Sequence, residues 1–266
     1  MTRKLFSNAR IFTPVDRGRP VSGKEQGEIQ VFPEGAILVR DGLIEAVGSA
    51  EEVSKVAADK EIMMEIDCGG ACMIPGFVDP HTHMCFAARR ENEFSMRLRG
   101  ASYMEIHNAG GGILSSVEAV RSSSEEELFQ VTLENVLSAL SFGTTTLEIK
   151  SGYGLDTPSE LKMLEVIRRI ARETPLDIVA TFMGAHAIPK EFKGDPDAYV
   201  ELVIREMIPA VKDQAIAEFI DVFCEEGVFT PEQSRKIMEA GKLTGLTPKI
   251  HADEVVDTGG AAIAAQ

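Results

Sequence analysis

Pro75-Gly76-Phe77-Val78-Asp79-Pro80-His81-Thr82-His83 is the stretch on which the reading of this chain turns. An apolar run closes on two histidines one residue apart. In extended backbone, residues i and i+2 point to the same face. His81 and His83 therefore project side by side, with Thr82 turned away. Imidazole is the commonest metal-ligating side chain, and two aligned rings begin a metal site. His-x-His alone describes equally well a strand end that carries two polar residues. The lead-in and the residues downstream favour metal.

Past Pro75, apolar or β-branched runs recur at about 76–81, 144–149, 177–183, 219–224 and 248–252. They read as strands buried on both faces. Helices separate the last four. Ser124-x-x-Glu127 has capping-box spacing and opens a helix over 125–141, with Gly143 just past its end. Thr157-Pro158-x-Glu160 puts proline at the first position of a helix over 158–172, and Thr230-Pro231-x-Gln233 does the same for 231–241. Asp197 is expected to cap a helix to about 213, interrupted at Pro209. Repeated β-α units predict a parallel barrel over residues 73–266. Five units are counted, where a closed barrel needs eight. The chain stops in Gly259-Gly260-Ala261-Ala262-Ile263-Ala264-Ala265-Gln266, which reads as the middle of a helix. An open sheet of five strands leaves a long apolar edge. The expectation is an incomplete barrel: a fragment, or a chain that something else completes.

Upstream, residues 1–72 read as a small β-rich module with strands at 4–13, 35–40, 43–47 and 63–67 and a short helix at 51–60. Asp41-Gly42 makes a tight two-residue turn. Residues 15–34, rich in Gly, Pro and charge, read as a loop. No polar cluster here suggests chemistry, so the module reads as scaffold.

The chain has 266 residues, 44% of them hydrophobic, and a formal net charge of −15. That acidity argues against nucleic acid and anionic membrane as partners. Cys68, Cys72, Cys85 and Cys224 form no disulfide or metal-clip pattern; they read as small buried thiols in a reducing compartment. Met1 to Phe12 is basic without the apolar core of a signal peptide, and no stretch reaches the length of a membrane span. The expectation is a cytoplasmic protein.

Of five histidines, His81, His83, His186 and His251 fall at or just after the carboxyl end of a predicted strand. In a parallel barrel those ends share one face, so the four rings converge there. His107 lies in the long segment between the first two strands and reads as structural. That segment also carries Arg89, Arg90, Tyr103 and Gly110-Gly111-Gly112, a flexible glycine run rather than a phosphate loop. His251 is the natural third ligand. Three neutral imidazoles leave a cation's charge largely uncompensated, which lowers the pKa of a bound water. Glu254, three residues on, is placed to take that proton and pass it to a leaving nitrogen; a first-turn helix carboxylate is the plainer alternative.

The pieces His81-Thr82-His83, Tyr103-Met104-Glu105-Ile106, Gly110-Gly111-Gly112-Ile113, Lys150-Ser151-Gly152-Tyr153-Gly154-Leu155, Gly184-Ala185-His186, Asp221-Val222-Phe223-Cys224-Glu225 and His251-Ala252-Asp253-Glu254 resemble the imidazolonepropionase family, cyclic amidohydrolases of the metal-dependent amidohydrolase superfamily. The resemblance runs from the β module to the last residue. It implies a (β/α)8 TIM-barrel-type hydrolase beside a β-sandwich module, and one divalent metal ion, zinc or iron. It also implies opening of the ring of 4-imidazolone-5-propanoate by water to give N-formimidoyl-L-glutamate in histidine degradation. By motif position His81, His83 and His251 resemble the metal ligands and Glu254 the catalytic acid–base. Arg90, Tyr153 and His186 resemble substrate-binding residues, with His186 also aiding charge development on the ring. A guanidinium suits the substrate's carboxylate; Arg89 competes, and motif position favours Arg90. Two-metal relatives use a carboxylated lysine from a later strand. Here the fourth strand ends in Cys224-Glu225-Glu226, so Lys150 is set aside and one metal is expected. The family's fourth ligand, an aspartate near the eighth strand, has no counterpart here. The expected partner is the small-molecule substrate, with a homodimer as the assembly to test. The alternatives are a truncated non-catalytic chain, or a cyclic amidohydrolase or deaminase acting on another small ring.

Overall fold

The computed structural model describes residues 2–89, 91–101, 105 and 112–265, with Asn92 described for its backbone only. The chain divides into two compact units, Met1–Gly76 and Phe77–Gln266. Each is described by itself.

The first unit is a five-stranded sheet built on β1 (Arg3–Pro14). β1 pairs antiparallel with β2 (Ile29–Arg40), and β2 antiparallel with β3 (Leu43–Ser49). β4 (Met64–Asp67) and β5 (Cys72–Met73) run parallel to β1. Asp41 and Gly42 both have positive φ, as the tight turn between β2 and β3 requires. β2 begins six residues earlier than the sequence reading placed it. The register slips where Ala9 faces Gly35 and Ile11 faces Phe32, so that Pro33 and Glu34 together stand opposite Arg10. Pro33, with no N–H to give, sits in that bulge. α1 (Ala50–Ala57) starts in a capping box between Ser49 and Glu52, and Val53 packs with Ala36 and Leu38. Of the β-sandwich expected for this module, residues 2–76 supply one sheet. Cys72 is exposed and Cys68 half-buried, against the expectation of small buried thiols; Cys85 and Cys224 are buried, and all four are free. Burial pushes the Cys85 thiol up to about 12.

The second unit is a parallel sheet of β6 (Phe77–Asp79), β7 (Thr144–Lys150), β8 (Asp177–Ala185), β9 (Phe219–Cys224) and β10 (Thr247–Ala252), each paired with its neighbour in sequence. Sequential parallel order with intervening helices is the pattern of a (β/α)8-type barrel, of which the described residues form five strands. β6 ends at Asp79, ahead of Pro80, so His81 and His83 lie beyond the strand in irregular backbone. Between β6 and β7 come α2 (Glu91–Leu98), α3 (Ile113–Ser122) and α4 (Glu125–Ser141). α4 opens in the capping box of Ser124 and Glu127.

α5 (Thr157–Glu173) is capped by Asp156 rather than Thr157: the Asp156 carboxylate accepts from the Ser159 N–H at 2.8 Å. α6 (Pro196–Leu202) is capped by Asp195, not Asp197, which lies in its first turn. α6 runs through a π-helical turn at Val203–Met207 into α7 (Ile208–Gln214). The wider turn accommodates Pro209, whose missing N–H breaks the i→i−4 ladder. α8 (Pro231–Leu243) follows the capping box of Thr230 and Gln233, and α9 (Ala261–Ala264) follows β10. Helices and sheet enclose one core that includes Leu147, Ile149, Ile167, Phe182, Val222 and Ile237. No described helix is long and apolar enough to cross a membrane.

Candidate metal centre

The carboxyl ends of the five parallel strands bring distant residues to one edge of the sheet. His81 and His83 follow β6, Tyr153 follows β7, His186 follows β8, Glu225 follows β9, and His251 lies within β10. One ring nitrogen from each of His81, His83 and His251 lies within 4.8 Å of the other two. The His81 and His251 ring centroids are 4.4 Å apart, and His186 stacks on His83 at 4.9 Å. His81, His83, Tyr153, His186, His251 and Glu254 all line one cavity of about 790 Å³. Glu93 and Arg97 line it too, and Arg97 is the only Lys or Arg among the described lining residues. Arg90, Tyr103, His107 and Gly110-Gly111 lie outside the described residues.

The three imidazoles suit a divalent cation. His251 Nδ1 is 2.9 Å from Asp221 Oδ1. A carboxylate only accepts, so Nδ1 carries the proton and the Nε2 lone pair is free to bind. That Nε2 is 3.3 Å from Nε2 of His83. A tetrahedral ion with bonds of about 2.0–2.1 Å holds two ligand nitrogens about 3.3–3.4 Å apart. His83 Nδ1, the ring nitrogen outside that contact, is buried without a hydrogen-bond partner. Burial, then the nearby His186, His251 and Lys150, push the His83 pKa down to about 2. Burial, then Lys150 and His251, also lower that of His81. Both rings are thus held in the neutral form that ligates.

Neighbouring carboxylates hold the loops in place. Glu160 is fully buried and accepts N–H bonds from Gly152, Gly154 and Leu155 at 2.8–3.0 Å, fixing the turn that carries Tyr153. Burial nonetheless raises its pKa. Gly152 has φ +105°, and a Cβ there would meet Met183 O at 3.0 Å and the His186 ring at 3.1 Å. Only glycine lets the loop pass so close; the His186 Nδ1 sits 2.9 Å from the Gly152 carbonyl. Glu225 accepts from the backbone N–H groups of Glu254, Val255 and Val256. Those bonds, that of Val255 first, hold its carboxyl below the usual carboxylate range. Glu254 is exposed in the loop after β10 and not in the first turn of a helix, the plainer role considered for it.

No protein-family model matches the chain. Curated relatives do. The imidazolonepropionase of Syntrophobacter fumaroxidans is 60% identical over 266 residues, all of this chain and 63% of that protein. The imidazolonepropionase of Desulfotalea psychrophila is 59% identical over the same length, 64% of that protein. Along its whole length the chain is similar to these two imidazolonepropionases. It spans about three-fifths of the curated relatives it matches. Solved structures share the fold at low identity. The 5-methylcytosine deaminase from Klebsiella pneumoniae aligns at TM-score 0.63 and 17% identity, over 97% of this chain and 54% of that one. A triazine hydrolase from Arthobacter aurescens aligns at TM-score 0.63 and 14% identity, over 98% and 55%.

The sequence reading missed Asp221, Glu160 and Glu225 as residues that hold the site's side chains and loops, and it missed that Glu148 is buried. The available signal was a charge inside a run otherwise fit for a buried strand: Glu148 in Thr-Leu-Glu-Ile-Lys and Asp221 in Phe-Ile-Asp-Val-Phe.

Proposed function

We propose that this chain carries the metal site and much of the substrate cavity of an imidazolonepropionase. The reaction is hydrolysis of 4-imidazolone-5-propanoate to N-formimidoyl-L-glutamate in histidine degradation. The observation that carries the reading is the meeting of His81, His83 and His251 in a cavity shared with Tyr153, His186 and Glu254. The chain's 60% identity to an imidazolonepropionase supports the choice of substrate.

His81, His83 and His251 would hold one zinc or ferrous ion. Bound there, the ion supplies Lewis acidity toward water and the ring carbonyl. Glu254 takes a proton from water and returns it to the ring nitrogen as the C–N bond breaks. His186, whose Nδ1–H is taken by the Gly152 carbonyl, donates from Nε2 in its imidazolium form to the ring as negative charge develops. Tyr153, set by the Glu160 cradle, orients the ring. Arg90 is proposed for the propionate on motif position, and Arg97 lines the same cavity. Four free cysteines fit a reducing cytoplasm. The proposed partner is the small-molecule substrate, and sedimentation tests for a homodimer.

The test is to load the purified chain with zinc, add 4-imidazolone-5-propanoate, and follow by mass the product one water heavier. Turnover supports the reading. Zinc uptake without turnover favours the second reading, a chain that binds metal but does not catalyse. The observation behind that second reading is that the chain spans 63% of its relative.

A further inference from the structure

Beneath the three imidazoles lies a set of charged side chains that the hydrolytic steps do not use. Glu148 and Lys150 stand two apart on β7 and share one face of the strand. Their side chains are 3% and 0% exposed, with the Lys150 Nζ 2.5 Å from the carboxylate. Desolvating such a pair costs about as much as the attraction returns, so its worth to stability alone is small. Its contacts lead to the ligands instead. Thr82, the residue between His81 and His83, donates its N–H to Glu148 Oε2 at 3.2 Å and its hydroxyl to the Glu148 carbonyl at 2.6 Å. Lys150 Nζ lies 3.4 Å from Asp221 Oδ2, and Asp221 Oδ1 takes the His251 Nδ1–H at 2.9 Å. Thr181 and Lys249 complete the Glu148 carboxylate at 2.5 and 3.0 Å. Two carboxylates facing two ammonium groups leave the cluster neutral. It therefore offers the cation no net attraction, and what it supplies is geometry.

We propose that the Glu148–Lys150 pair is a positioning element for the metal centre: through Thr82 it fixes the His81–His83 turn, through Asp221 it fixes His251, and so it sets the distance between the two halves of the ligand set. Each arm reaches a ligand through one intervening residue, and both arms start from the same buried pair. The inference rests on the divalent-cation reading proposed above.

Removing one charge of each sign keeps the cluster neutral, with Asp221 and Lys249 remaining, so the test variant is Lys150→Met/Glu148→Gln in the whole chain. Zinc affinity is measured by competition with a chromophoric chelator, and ligand geometry by the visible absorption of the cobalt-loaded chain. The expected result is zinc affinity lowered roughly 10- to 100-fold, an altered cobalt spectrum and unchanged far-ultraviolet circular dichroism. Wild-type affinity with a wild-type cobalt spectrum would overturn the proposal. If the double variant does not fold, Thr82→Val removes the hydroxyl bond that ties the ligand turn to the Glu148 carbonyl and keeps the N–H bond to its carboxylate. Its affinity should fall roughly 3- to 10-fold, the worth of one hydrogen bond, and an unchanged value would again overturn the proposal. A wild-type chain that takes up no zinc removes the cation reading and this inference with it. A wild-type chain that binds as tightly as the double variant removes the inference alone.

Discussion

Glu45 in the N-terminal unit and Glu148 in the C-terminal unit each gather more than one cation, in opposite surroundings. Glu45 meets Arg3 at 3.0 Å, Lys60 at 2.8 Å and Arg40 at 4.0 Å on a partly exposed face of the small sheet. Glu148 meets Lys150 and Lys249 under the imidazole cluster, almost fully shut away from water. Ion pairs at a surface are cheap to keep and contribute little. Buried ones are costly, and persist where something other than stability needs them. The contrast fits the proposal that the C-terminal unit holds the chemistry, with the N-terminal unit as scaffold. The apolar interiors point the same way: Ala36, Leu38 and Val53 centre the small unit, while one extended core fills the barrel unit.

The contrast breaks or sharpens by substitution. Glu254→Gln should lower kcat by about 10²–10⁴ while zinc content stays at wild type; the matching change Glu45→Gln should leave kcat alone. Next in size is the cost of hollowing each core, read from urea denaturation. Phe182→Ala should cost about 3–5 kcal/mol. Leu38→Ala should fall at the lower end of about 2–5 kcal/mol, because a three-residue centre collapses around the gap more easily. The helix caps test where the units should not differ: Ser49→Ala and Ser124→Ala each remove a capping box and should cost about 1 kcal/mol.

The smallest effect is expected from acid at Glu45. Its pKa is lowered from 4.5 to about 2, chiefly by the hydrogen bonds from Lys60 and Arg3. A depressed carboxylate binds fewer protons folded than unfolded. Its contribution is therefore complete above pH 4.5 and is lost as pH falls toward 2. Urea titrations across that window should show a shallower loss in Glu45→Gln than in wild type. Equal slopes would mean the surface pairs contribute nothing.

Sequence alone located the parallel strands and most helix starts because the signals are local. β-branched runs marked β7 to β10, and Ser124-x-x-Glu127 and Thr230-Pro231 marked two helices. The meeting of His81, His83 and His251 was legible because strand ends of a parallel sheet share an edge, whatever the loops do. Local signals misled where neighbours compete. Asp195 and Asp197 flank Pro196, and proline at the first helical position belongs after the cap, which selects Asp195. Ile29 to Glu34 read as loop because Pro33 and the surrounding charge hid a bulged strand. The Glu148–Lys150–Asp221 network stayed hidden for a different reason. Residues 148, 150 and 221 are brought together only by the pairing of β7 with β8 and of β8 with β9, and a charged residue in an isolated strand reads as a solvent-facing one.

The most direct test of the central claim is X-ray absorption at the zinc edge of the loaded wild-type chain. One zinc per chain with three imidazole nitrogens at about 2.0–2.1 Å is the expected result, together with no uptake by His81→Ala/His83→Ala/His251→Ala. Zinc surrounded by sulfur or by oxygen alone, or equal uptake by the triple variant, would contradict it.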